Sequence, residues 1–168
     1  ILLQKTDSKN IILMGDSAGG GLALALAQKQ KNEGKPSASQ VILISPWLDI
    51  SLSNPEILEI QKNDPILHSK SFKPVSKAWA GNSDLSNYLV SPINGSLEGL
   101  PKISIFIGTH DILLADCRKL KSMLDQKNIP LNYFEYPKLF HDWVLIKPIK
   151  ESKIATEQIC KLILNDKI

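Results

Sequence analysis

Asn10-Ile11-Ile12-Leu13-Met14-Gly15-Asp16-Ser17-Ala18-Gly19-Gly20-Gly21 joins a short apolar run to a serine set among glycines. Asn10 to Gly15 has the length and continuity of a strand buried on both faces. Ala18 to about Glu33 follows as a helix: Leu22, Leu24, Ala25 and Leu26 are apolar, Gln28 to Lys31 turn polar, and Gly34 and Pro36 stop it. At the junction, Gly15-Asp16-Ser17-Ala18-Gly19 fits G-x-S-x-G, in the strand-turn-helix context that gives the pattern meaning. So tight a turn puts Ser17 in a strained backbone conformation and needs small neighbours. Gly15 and Gly19 are expected to remove side chains that would collide across it. The turn lifts the Ser17 hydroxyl above the strand ends, at a helix N-terminus whose N–H groups and dipole favour developing negative charge. Ala18 N–H is expected to be one oxyanion donor. The blander alternative is a glycine-rich strand-to-helix turn, of the kind that can cradle a phosphate. No Gly-Lys-Ser/Thr follows it, and the glycines do not give G-x-G-x-x-G.

Outward from this turn, strand and helix alternate, which predicts an α/β fold: a mostly parallel sheet with helices on both faces. Val41 to Ser45 is a second buried strand, ended by Pro46. Lys102 to Gly108 and Asn132 to Tyr136 are the third and fourth. Leu113 to about Asn128 is a helix, with Leu114, Cys117, Leu120, Met123 and Leu124 on one face. Ile149 to Leu164 closes the chain, with Ile154, Ile159, Leu162 and Ile163 as the expected inner stripe. Residues 54–99 break the rhythm with four prolines and short helical patches, and read as an insertion within one domain spanning 1–168. A first strand buried on both faces implies a neighbour on each side. That predicts either the C-terminal part of a larger fold or another copy on the open edge.

A serine nucleophile needs a base, and the base needs an orienting acid. The chain has three histidines. His68 lies in the insertion and reads as a surface or cap residue; His110 reads as a supporting or exposed one. His141 follows the last strand, where a loop can bring imidazole over the sheet edge that carries Ser17. Asp111, after the third strand, is the leading acid, in the order Ser, acid, His. Its blander role is to cap the following helix, which competes with a place beside the histidine. Asp116 and Asp142 are competitors, although adjacency to His141 leaves the Asp142 side chain poorly placed to reach the same ring. Asp49 reads as a structural turn residue. Activity is expected to fall as His141 becomes protonated.

Composition narrows the alternatives. The net charge of +3 is spread over 20 basic and 17 acidic residues, with no concentrated stripe for nucleic acid. No apolar run is long enough for a membrane span. Cys117 and Cys160 sit in predicted helices without ligand spacing and read as small buried thiols, so neither a zinc site nor a disulfide framework is expected. A cytoplasmic location fits best.

On these residues the chain resembles the hormone-sensitive-lipase branch of the α/β-hydrolases. The markers are Gly15-Asp16-Ser17-Ala18-Gly19-Gly20, Ser45-Pro46-Trp47-Leu48-Asp49, Gly108-Thr109-His110-Asp111-Ile112-Leu113 and the His141 loop, in family order. The resemblance implies a partial α/β-hydrolase fold and a carboxylesterase acting on short acyl esters without a cofactor. It implies Ser17, Asp111 and His141 as the triad, and 54–99 as part of a cap. The sequence departs from the family in three ways. It has no His-Gly-Gly-Gly oxyanion loop, it has Ile112 where Pro is frequent, and it has Asp142 where Gly often follows the histidine. The rival readings are an amidase, peptidase or thioesterase on the same three residues, and an inactive remnant or small-molecule-binding module.

Overall fold

The computed structural model describes residues 5–147 and 149–165. Four parallel strands lie in the order β1 (Ile12–Asp16), β2 (Gln40–Ile44), β3 (Lys102–Gly108) and β4 (Leu131–Tyr136). Because all four run the same way, their C-terminal ends share one edge, and the turns leaving that edge carry Ser17, Ser45, Asp111 and His141. The central strands are the most apolar. β2 is buried throughout, and β3 is buried from Ile103 onward.

Helices cover both faces, as the alternation predicts. On one face α1 (Ser17–Asn32) presents Ala23, Leu24 and Ala27, and α4 (Leu114–Gln126) presents Leu114, Cys117, Leu120 and Leu124. They pack on Val41, Leu43, Ile103, Ile105 and Ile107 together with Trp47, Leu48 and Ile57. On the other face α5 (Lys150–Asn165) lays Ala155 and Ile159 over Ile42, Ile44 and Phe106, with Trp143 and Val144 between. Residues 54–99 contain the single-turn α2 (Ile57–Ile60), then α3 (Ser69–Ala80), and no strand. Asp64 ties this segment to the sheet edge: one carboxylate oxygen accepts the N–H groups of Ile66 and Leu67, the other that of Ile112.

Three expectations are corrected. β1 is not buried on both faces. Among the described residues it pairs with β2 alone, and Met14 is 54% exposed because α5 lies over β2 and β3 and leaves that end of the sheet uncovered. In α5, Ile154 points outward, and the inner stripe starts at Ser152 and Ala155. Ser152 Oγ donates to Val144 O at 2.6 Å, fixing the helix rotation about 100° from the one that would bury Ile154. The same rotation leaves Cys160 exposed, whereas Cys117 is buried as expected.

Candidate active site

Ser17 sits at φ 50°, in the left-handed region, at the tip of the β1–α1 turn. A non-glycine residue there costs of order 1–3 kcal/mol, which the packed turn must overcome. Gly15 makes the turn possible: a Cβ on it would lie 2.2 Å from Gly19 O. Gly19, by contrast, would meet nothing within 4 Å, so its expected steric role is not borne out. The crowded positions on α1 are Gly20, whose Cβ would lie 2.8 Å from Pro46 Cβ, and Gly21, whose Cβ would lie 2.2 Å from Trp47 O. Close approach lets Trp47 N–H donate to Ser17 O at 2.8 Å, clamping the serine from the β2 side.

The acid and histidine loops are joined along the backbone. His110 N–H donates to Leu139 O at 2.8 Å, Thr109 N–H to Tyr136 O at 2.9 Å, and Lys138 N–H to Thr109 Oγ1 at 2.6 Å. Gly108 permits this contact, since a Cβ there would stand 2.1 Å from Leu139 O. The result is a connected set of three side chains. His141 Nδ1–H donates to Asp111 Oδ2 at 2.9 Å, and His141 Nε2 lies 2.9 Å from Ser17 Oγ. Asp111 is fully buried, His141 nearly so, and Ser17 half-buried. The capping and orienting roles of Asp111 do not compete. Oδ1 accepts Leu113 N–H at 2.9 Å while Oδ2 serves the imidazole.

The other candidates fall elsewhere. His68 is exposed and N-caps α3, its ring accepting Lys70 N–H. Asp49 is a turn residue, as expected, accepting from Ser51 N–H and from the Ser51 and Ser53 hydroxyls. Asp142 is the contradicted one. It takes φ 53°, which swings its carboxylate back onto the ring of its neighbour, and Oδ2 lies 3.1 Å from His141 Nε2. Sequence reasoning missed this because adjacency to His141 alone argues against reach; the aspartate in place of glycine is the available signal. His141 is pushed up to about 10: burial lowers it, but hydrogen bonds to the Asp111 and Asp142 carboxylates, and their charges, outweigh burial. The pH window expected from an ordinary histidine therefore moves into the alkaline range.

Asp116 stands apart from the histidine, in the first turn of α4, with Asn54 Nδ2 donating to its Oδ1 at 3.0 Å. Burial pushes its carboxyl from 3.8 up to about 6, against the Asn54 hydrogen bond, and Oδ2 is buried without a hydrogen-bond partner. A folded-state value above the unfolded one favours the protonated form, so this stability is complete below pH 3.8 and is lost as pH rises through about 6. Asp116→Asn keeps the acceptor for Asn54 and removes the charge. It should stabilise the fold by about 1–3 kcal/mol at pH 7.5 and hardly at all near pH 3.5. Urea unfolding at the two pH values checks this; an equal effect at both would remove burial of charge as the cause.

A cleft of about 700 Å³ lies between α3 and the loop after β2, lined by Ile50, Leu52, Leu58, Ser76 and Ala80. It does not include Ser17, Asp111 or His141. Among the described residues no group of histidine, cysteine and acidic side chains has the arrangement to hold a metal, and no helix is long and apolar enough to cross a membrane.

With a strained serine, a histidine and a buried aspartate on the C-terminal edge of a parallel sheet, the chain belongs to the α/β-hydrolase fold family, whose profile it matches over residues 3–145. It is similar to a triacylglycerol lipase of Mycobacterium tuberculosis, at 35% identity over 83% of this chain and 27% of the relative. An acetyl-hydrolase of Streptomyces hygroscopicus is 29% identical over 89% of this chain and 50% of the relative. Among solved structures, a hormone-sensitive lipase from a metagenome library superposes with a TM-score of 0.89 at 28% identity, covering 95% of this chain and 54% of that one. The chain thus spans about half the length, or less, of these relatives.

Proposed function

We propose that this chain provides the nucleophile, base and acid of a serine hydrolase that cleaves carboxylic esters with short acyl groups. The observation carrying this reading is the His141 ring, whose two nitrogens each lie 2.9 Å from a partner, Asp111 and Ser17. The names of the relatives, a lipase and an acetyl-hydrolase, support it.

Neutral His141 takes the Ser17 proton at Nε2 as Ser17 Oγ bonds to the ester carbonyl carbon. The oxyanion forms against Ala18 N–H, in the first turn of α1, where helical N–H groups have no intrahelical acceptor. Collapse breaks the bond to the alkoxide, which takes the proton from His141 Nε2–H and leaves as the alcohol. Water then attacks the acyl-serine with His141 again as base, releasing the acid and restoring Ser17. Asp111 holds Nδ1 protonated throughout and stabilises the imidazolium. Chain 1–168 is read as the C-terminal portion of one α/β-hydrolase domain, with 54–99 contributing to a cap over the site. The open edge of β1 supports pairing with further chain, including another copy. Both cysteines are free, which supports a cytoplasmic setting.

The test is labelling with a fluorophosphonate, read by intact mass, beside turnover of a p-nitrophenyl ester and the matching p-nitroanilide. One adduct, absent in Ser17→Ala, and preference for the ester are expected. No adduct at any pH favours the inactive or binding-module reading, and faster anilide turnover an amidase.

A further inference from the structure

Asp142 is the acidic group beside the site that the acyl-transfer scheme does not use. Its position is built. Asp142 N–H donates to Ser45 Oγ at 3.2 Å, Ser45 is fully buried, and both residues have positive φ (53° and 41°). Oδ1 is buried without a hydrogen-bond partner, so nothing else compensates the charge that Oδ2 brings to His141 Nε2. The Asp142 side chain is a quarter exposed, but its buried Oδ1 is left unpaired, which is costly, and its charged neighbour is the ring proposed to act as base.

We propose that Asp142 is a positioning residue that competes with Ser17 for His141 Nε2 and holds the imidazole protonated, so that Ser17 is activated only in alkaline surroundings. The inference rests on the serine-hydrolase reading above. With a carboxylate at each ring nitrogen, both can be satisfied at once only by imidazolium, which donates from Nδ1 to Asp111 and from Nε2 to Asp142. That form cannot accept the serine proton. The charged groups acting on the ring are Asp111, from the turn after β3, and Asp142; the turn after β2 presents the uncharged Ser45, and α1 the hydroxyl of Ser17.

Asp142→Asn keeps the shape and tolerates positive φ, and Asp142→Gly, which accepts that φ outright, is the second variant. Each should lower the His141 titration midpoint by about one unit or more. That raises the neutral fraction at pH 7, and with it the rate of Ser17 labelling, by about tenfold. Two measurements are paired: the His141 ring ¹H–¹³C titration by NMR, assigned with His68→Gln and His110→Gln, and the fluorophosphonate labelling rate against pH. A lowered midpoint with the labelling limb moving in step supports the proposal. An unchanged midpoint in both variants overturns it, as does slower labelling at every pH without a shift, the mark of a merely structural residue. A lowered midpoint in chains that take no label upholds the role of Asp142 on the ring and counts instead against the hydrolase reading.

Discussion

Asp111→Asn should slow acylation of Ser17 by about 10⁴-fold, the scale on which serine-histidine-aspartate sites respond to this change. The reason lies in how the two carboxylate oxygens are used. Oδ1 accepts Leu113 N–H and Oδ2 accepts His141 Nδ1–H, both at 2.9 Å, in full burial. An amide has one oxygen. If it stays with Leu113, its NH₂ faces Nδ1, the ring must accept there, and the proton moves to Nε2, where the base should be empty. If it turns to serve the ring, the NH₂ confronts Leu113 N–H and two buried donors oppose each other. The first arrangement loses the base and the second loosens the turn that carries the acid. Losing the Asp111 charge also leaves Asp142 as the sole anion on the ring, still at Nε2 and still competing with Ser17. Time-resolved labelling with a fluorophosphonate checks this, with circular dichroism melts to confirm the fold. A loss under tenfold would mean that Asp111 does not orient His141.

Gly108→Ala should cost about 3 kcal/mol or more of stability, well above the usual surface substitution. The added methyl would stand 2.1 Å from Leu139 O, 2.4 Å from Leu139 C and 3.1 Å from Phe140 N, all backbone atoms with no rotamer to change. Relief requires the histidine loop to move off the end of β3, which breaks the His110–Leu139 and Thr109–Tyr136 hydrogen bonds and draws His141 away from Asp111. Labelling should therefore fall even at temperatures where the protein stays folded. Gly19→Ala is the contrast, since a Cβ there meets nothing within 4 Å and alanine is the better helix former. Its stability should hold or rise. Urea midpoints of the two variants, measured together, test the geometry: equal losses would contradict it.

The order of the elements, and the meeting of Ser17, Asp111 and His141 at one sheet edge, were legible in the sequence because each rests on a local rule. A glycine-flanked serine between an apolar run and a helix identifies the turn, and parallel strands put the other loops on the same edge. Less was legible wherever a side chain's direction depends on a partner far along the chain. Met14 and Ile154 are as apolar as their buried neighbours; the exposure of Met14 follows from how far α5 reaches across the sheet, and that of Ile154 from the rotation of α5 that Ser152 fixes. Gly108 looked like an ordinary strand end until Leu139 closed on it. Asp142 was misjudged because a left-handed backbone lets a residue fold over its own neighbour, which spacing along the sequence does not encode.

The separation of Ser17 from His141 by 124 positions sets an order of events when the chain is made. At about 5–20 residues per second, a nascent serine waits roughly 6–25 s before its histidine has even been synthesised. It waits longer for β4 to dock and bring the ring across β3, a step that depends on long-range pairing and is slow for that reason. Until then Ser17 is an ordinary alcohol on an apolar segment. Under the proposed serine-hydrolase scheme its activation would come late and all at once, because the ring reaches Ser17 only when β4 is in place.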